Sequence, residues 1–261
     1  MFINNFDPVA FEFLTFEIRW YSLSYIAGIV LAWIYIKKFI LKETEYSKYI
    51  DDLISYVIIG VIIGGRLGYV IFYNFEYYIS NPLEILMIWT GGMSFHGGVL
   101  GVIISTYLFC KKNKLSTFYF LDLISLSAPI GIFLGRIANF FNSELYGKVS
   151  TLPWSVIFPK IDNLARHPSQ IYEAILEGIL LFILINYLAL KKNLLLKTGY
   201  ISGVFLILYS IFRIISEIFR EPDGHLGYFF TYFSLGTILS LITLFFGLLI
   251  ILSIKKNEQN N

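Results

Sequence analysis

Residues 118–147 read FYFLDLISLSAPIGIFLGRIANFFNSELYG. From Phe118 to Phe140 the run is apolar enough, and longer than the roughly 20 residues needed, to cross a bilayer as a helix. Only Asp122 and Arg136 carry charge within it. A charged side chain near the bilayer centre costs about 2.5–3.5 kcal/mol, so both must face protein or a polar cavity. Arg136 and Asn139 stand three apart and share a helix face. Asn142, Glu144 and Gly147 follow where the helix leaves the membrane. So dense a polar cluster at one helix exit is hard to explain by packing, and it marks a candidate site.

The rest of the chain has the same character. Its 261 residues are 57% hydrophobic and 15% charged, with a mean hydropathy of +0.70. A soluble domain carries about 25% charged residues. The expected fold is all-α and polytopic, with seven transmembrane helices near 21–41, 51–73, 95–110, 118–140, 170–190, 199–219 and 235–254. The polar stretch 141–169 is expected to form a small extracytoplasmic cap within a single integral membrane domain, 1–261. Pro82 to Gly92 is too short to span and should lie in the interface or dip partway into the membrane. A net charge of +2 gives no reason to expect nucleic acid as a partner. The one cysteine, Cys110, excludes an internal disulfide and reads as a packing residue. The first apolar run is expected to act as a retained signal-anchor.

Orientation follows from the cations. Lys37, Lys38, Lys42, Lys48, Lys111, Lys112, Lys114, Lys191, Lys192, Lys197, Lys255 and Lys256 fall in loops on one side. Arg19, Lys148, Lys160, Arg166 and Arg220 fall on the other, and Arg66, Arg136 and Arg213 lie inside apolar runs. The positive-inside rule then places the N-terminus outside and the C-terminus in the cytoplasm. No internal repeat is visible, although many transporter folds have one.

Further ionisable groups lie in or beside the spans. On a helix, Glu217 falls about 40° from Arg213 and Arg220 about 20° on the other side. These three form either an ion-paired stripe between helices or an anion site, since Arg binds phosphate through paired hydrogen bonds. Glu173 and Glu177, at i and i+4, repel unless other helices supply cations or one is protonated. His96 stands before Gly97-Gly98, either as a satisfied interfacial residue or as a base. Arg66 follows Gly64-Gly65 and suits either a structural ion pair or a ligand contact. Tyr21, beside Trp20, fits an interfacial belt. His167-Pro168-Ser169-Gln170 reads as a helix start.

Together these segments resemble the prolipoprotein diacylglyceryl transferase family over nearly the whole chain. The most specific match is Gly135 to Gly147. Around it come Trp20-Tyr21, Gly65 to Tyr69, Met93 to Gly98, Arg166 to Gln170, and Phe212-Arg213 through Arg220 to Asp223. Ser22, Ala138 and Ser143 stand where the family usually has glycine, and Tyr146 where it often has tryptophan.

The resemblance implies a bacterial inner-membrane enzyme acting on phosphatidylglycerol. Its diacylglyceryl group would pass to the lipobox cysteine of a prolipoprotein signal peptide, forming a thioether and releasing glycerol phosphate. This is alkyl transfer, so no acyl-enzyme is needed. His96, Arg136 and Arg213 are the implied catalytic residues, with the arginines clamping the phosphate and the thiolate formed either by His96 as base or with the help of arginine. Tyr21, Arg66, Asn139, Asn142, Glu144, Gly147, His167, Glu217 and Arg220 are the implied substrate-binding residues. Membrane lipids are the other partners, and no metal or cofactor is expected. A phospholipid transporter or flippase is the alternative, because it too could use intramembrane Arg and Glu along a phosphate pathway.

Overall fold

The computed structural model describes residues 2–13, 16–88, 91–222 and 234–260. Trp89, Thr90 and Asp223, which enter the sequence reading above, lie outside these. Among the described residues, six helices are long and apolar enough to cross a membrane: Trp20–Ile40, Glu45–Tyr73, Thr117–Phe141, Ser169–Lys191, Tyr200–Glu217 and Leu235–Lys256. Each coincides with an expected span. The remaining expected span, 95–110, is the helix Phe95–Asn113, which falls outside those six. A multi-pass, mainly helical membrane protein follows.

The mostly helical chain agrees with the expected all-α polytopic class, and the described residues add a few short strands to it. Three short strands precede the first helix: β1 (Phe2–Ile3), β2 (Val9–Phe13) and β3 (Phe16–Arg19). β2 and β3 pair antiparallel. β1 pairs in parallel with β4 (Val156–Ile157), which pairs antiparallel with β5 (Ala165–Arg166). Chain that leaves a helix must satisfy its backbone groups elsewhere, and short ladders do this between the spans.

The chain divides into two compact units, residues 1–35 with 122–261, and residues 36–121. The larger unit holds α1 (Trp20–Tyr35), most of α5 (Thr117–Phe141), α6 (Ser169–Glu173), α7 (Leu181–Asn186), α8 (Tyr200–Glu217) and α9 (Leu235–Asn260). Between α6 and α7 the helix widens into a π-helical stretch, Ala174–Leu180, which contains Glu177. Such widened turns are common at functional sites.

One buried carboxylate ties α5 to α8. Asp122 accepts hydrogen bonds from the backbone N–H of Gly199 (2.6 Å) and of Ser202 (2.7 Å), and from Ser202 Oγ (2.6 Å). It therefore caps the start of α8 from a neighbouring helix, satisfying donors that have no partner inside α8. Asn4 pins the opposite end of α5, donating from Nδ2 to the Phe140 carbonyl at 2.6 Å.

The smaller unit holds α2 (Ile50–Tyr73), α3 (Phe75–Ser80) and α4 (Phe95–Asn113). α2 and α4 meet along glycines: a methyl on Gly68 would lie 2.6 Å from Gly97 Cα. Such closeness lets small residues replace lipid contacts with backbone packing. Pro82–Leu86 forms a single 3-10 turn, as its length requires. Cys110 is fully buried, in keeping with packing.

Candidate active site

Within the larger unit, α5, the α6 helix and α8 bring Arg136, Arg213, Glu173, Glu177 and Glu217 together. Arg136 Nη1 lies 2.8 Å from Glu173 Oε2, and its Nη2 donates to Glu177 Oε2 at 3.0 Å. Arg213 Nη1 lies 3.0 Å from Glu173 Oε2 and 3.6 Å from Glu177 Oε1. Its Nη2 donates to Glu217. Arg220 Nη1 reaches Glu217 at 3.6 Å and Glu173 at 3.9 Å. Glu173 and Glu177 are fully buried, while Arg136 keeps 15% of its side chain exposed.

The formal charges of Arg136, Arg213 and Arg220 cancel those of Glu173, Glu177 and Glu217. This solves the repulsion posed by two carboxylates one turn apart, because three guanidiniums from outside their helix surround them. It also makes the cluster tolerable in a low-dielectric interior, where isolated charges are costly. Hydrogen bonding within it is incomplete, however. Both oxygens of Glu173, and Oε1 of Glu177, are buried without a hydrogen bond of regular geometry.

The end of α5 builds the next layer. Asn139 Nδ2 donates to Glu144 Oε2 at 3.0 Å and Asn142 Nδ2 to Glu144 Oε1 at 3.3 Å. The turn between them is tight, with Ser143 at φ +60° and Leu145 at φ +55°. Gln170 and Ser169 hold that turn by donating to the Glu144 carbonyl (2.6 Å) and the Leu145 carbonyl (2.8 Å). Tyr21, on the first turn of α1, shares a 3.0 Å hydroxyl–hydroxyl hydrogen bond with Tyr25 and lies within electrostatic reach of Glu144 and Arg136.

Gly147 is where three segments converge. Its N–H donates to the His167 carbonyl at 3.0 Å, and it bridges to Arg220 in an antiparallel pair. A methyl here would sit 2.6 Å from His167 Cβ and 2.8 Å from the Phe219 carbonyl oxygen. Only glycine allows that approach. Arg220 lies just past the end of α8, where it keeps the i,i+3 contact with Glu217 expected from helical spacing and is also held by its bridge to Gly147.

His167 makes a 3.2 Å contact from Nδ1 to the Tyr172 hydroxyl, which accepts a hydrogen bond from Trp154 Nε1 at 2.8 Å. Burial, then the Lys148 charge, holds the His167 imidazole below its ordinary pKa. Arg166 beside it binds Asp162 through Nη2 at 2.5 Å and stacks over Tyr146. That hydrogen bond keeps the Asp162 carboxyl below the usual carboxylate range.

His96 and Arg66 belong to the smaller unit. Arg66 binds backbone carbonyls rather than an acidic partner: Glu84 (2.6 Å), Ile85 (2.9 Å), Met87 (3.1 Å), Gly92 (3.3 Å) and Gly91. Its guanidinium also lies over the Tyr78 ring. The next links lead to His96. Ser94 N–H donates to the Gly65 carbonyl at 2.8 Å, and Ser94 Oγ caps α4 by accepting from Gly97 N–H at 3.2 Å. Arg66 and its glycine neighbours thus fix the chain that opens α4, where His96 occupies the first turn.

Sequence reasoning left Glu173 and Glu177 out of the site. Their signal was present, as a pair of intramembrane carboxylates at i and i+4. Tyr209, one turn before Arg213 on α8, was also missed; it lies within electrostatic reach of Glu177, Arg136, Arg213 and Glu173.

Comparisons with known proteins give the family. The family model for prolipoprotein diacylglyceryl transferase matches residues 8–253. A phosphatidylglycerol–prolipoprotein diacylglyceryl transferase of Rickettsia typhi is 49% identical over 249 residues, covering 95% of this chain and 96% of its own. Proteins of the same name from Rickettsia bellii and Rickettsia felis are each 48% identical, over 254 and 249 residues; the alignments cover 97% of this chain and 97% of the first, and 95% and 96% for the second.

Proposed function

The chain belongs to the prolipoprotein diacylglyceryl transferase family, and from that premise we propose how its residues perform the reaction. It is a membrane transferase of lipoprotein biosynthesis that moves the diacylglyceryl group of phosphatidylglycerol onto prolipoproteins. The acceptor is the thiol of the lipobox cysteine in the signal peptide. Sulfur supplies the electron pair for the new S–C bond, and the C–O bond to phosphate breaks with its pair on oxygen. Glycerol phosphate leaves.

This chemistry requires the phosphate charge to be balanced as the bond breaks, the thiol to lose its proton, and both partners to be held in line. Arg136 and Arg213 clamp the phosphate. Glu217 and Arg220 orient Arg213, and Asn139, Asn142 and Glu144 shape the approach beside Tyr21, which positions the headgroup. Gly147 and His167 fix Arg220 and the turn after α5. His96 takes the thiol proton, an assignment that rests on its chemistry at neutral pH. Arg66 holds the segment that presents His96.

α4 is the seventh crossing: its 19 residues rise about 28 Å, close to the hydrocarbon thickness. The N-terminus then lies outside and the C-terminus in the cytoplasm of a bacterial inner membrane. Residues 141–169 form the extracytoplasmic cap over the arginines.

The observation that carries the reading is the convergence of three arginines in a buried cluster, with Arg136 partly open. The test is detergent-solubilised protein mixed with phosphatidylglycerol and a lipobox peptide. A thioether-lipidated peptide with released glycerol phosphate is the expected product. Lipid movement without a covalent product would overturn the reading in favour of transport.

A further inference from the structure

We propose that binding of the lipid phosphate is coupled to protonation of Glu177, so that the headgroup enters the cluster together with a proton. This rests on the reading that Arg136 and Arg213 hold the phosphate.

The cluster balances its own charge, three arginines against three glutamates. A phosphodiester brings one more negative charge. An uncompensated charge in a low-dielectric site is avoided by neutralisation, most cheaply by a proton taken up on a carboxylate. The excess cannot be met by freeing an arginine, because every guanidinium released to phosphate leaves a buried carboxylate behind.

Geometry selects which carboxylate. Glu217 has Arg213 and Arg220 and accepts a hydrogen bond from Ser234 Oγ at 2.8 Å. Glu173 touches all three arginines. Glu177 touches two, with Arg213 as far as 3.6 Å, and it is fully buried. The groups facing Glu177 are Arg136 from α5, Arg213 and Tyr209 from α8, and Glu173 one turn earlier on its own helix. Its Oε1 is a buried acceptor without a hydrogen bond and can take a proton; both oxygens of Glu173 share that condition, so what distinguishes Glu177 is its two arginine partners against the three of Glu173. Once Glu177 is neutral, Arg136 Nη2 is released to the phosphate and Arg213 Nη1 loses its second carboxylate, while Glu173 still holds Arg136 through Nη1 and Glu217 holds Arg213 through Nη2.

The test uses the full chain in detergent and a short-chain phosphatidylglycerol. Calorimetric titration in buffers of different ionisation enthalpy counts protons. Linkage predicts uptake of up to about one proton per lipid and affinity that weakens as pH rises, by at most about tenfold per pH unit, wherever the proton is taken up. Infrared difference spectra should show a protonated-carboxyl band appearing with the lipid. In Glu177→Gln both the uptake and the band should vanish while binding persists; Glu177→Asp, which keeps the charge, should keep the uptake and shift the band, whereas Glu173→Asp should leave the band where it is. Wild-type binding without proton exchange or a new carboxyl band would overturn the coupling alone. An unchanged proton count in Glu177→Gln would overturn the choice of Glu177. Should that variant fail to fold, the wild-type band decides the coupling. Absence of phosphatidylglycerol binding to wild type would overturn the site assignment, and this proposal with it.

Discussion

Replacing Arg136 with lysine keeps the charge and removes the fork. In the native protein one guanidinium meets two carboxylates at once, Glu173 at 2.8 Å and Glu177 at 3.0 Å. An ammonium is a single centre and can satisfy one of them. The other, fully buried, loses a charged hydrogen bond worth about 1.5–3 kcal/mol. Arg136→Lys should therefore be less stable by about 2 kcal/mol, less than the 3–5 kcal/mol expected when a buried charge loses its partner outright. Turnover should fall further. A lost donor to the leaving phosphate removes about 2.7–4 kcal/mol of transition-state stabilisation, roughly 100- to 1,000-fold. The assay pairs thermal unfolding with transfer to a lipobox peptide. Adding Glu177→Gln removes the orphaned carboxylate, so the double variant should regain stability but not turnover. Near wild-type turnover in Arg136→Lys would refute the clamp, and so would recovery of turnover in parallel with stability.

Four further outcomes are expected. Gly147→Ala forces His167 and Phe219 apart and should destabilise by about 1–3 kcal/mol while abolishing turnover, read by unfolding and transfer assays. Ser143→Gly should raise the unfolding temperature, because Ser143 sits at φ +60° with its hydroxyl unsatisfied, and glycine removes about 1 kcal/mol of left-handed strain. Asp162 has a lowered pKa in the folded state, so its contribution is complete above about pH 4, the ordinary carboxylate value, and is lost as pH falls through the lowered value. Asp162→Asn should flatten that acid limb in a pH series of unfolding temperatures. Cys110→Ser should leave most turnover intact in the peptide assay, because the reactive thiol comes from the substrate.

Much of the fold was legible because lipid imposes a simple demand, a long apolar run for each crossing. Thr117–Phe141 and Tyr200–Glu217 each fall within two residues of the expected ends. The contact between Arg213 and Glu217 was legible for a similar reason, since helical spacing fixes which neighbours share a face. What escaped depends on partners distant in sequence. Nothing local says that Glu173 and Glu177 meet arginines about 40 residues away on either side. Arg66 offered no clue either, because its partners are backbone carbonyls, which every residue possesses. Arg220 is also held by Gly147, 73 residues earlier, so helical spacing accounts for its position only in part. The strands β1 and β4 are two residues each, too short for alternation to register.

The most direct test is a structure of the chain with phosphatidylglycerol bound. The phosphate should lie between the Arg136 and Arg213 guanidiniums, within hydrogen-bond distance of both, with Glu177 displaced from at least one of them. A phosphate bound elsewhere, with the pairs from Arg136 to Glu173 and Glu177 intact, would contradict the proposed mechanism.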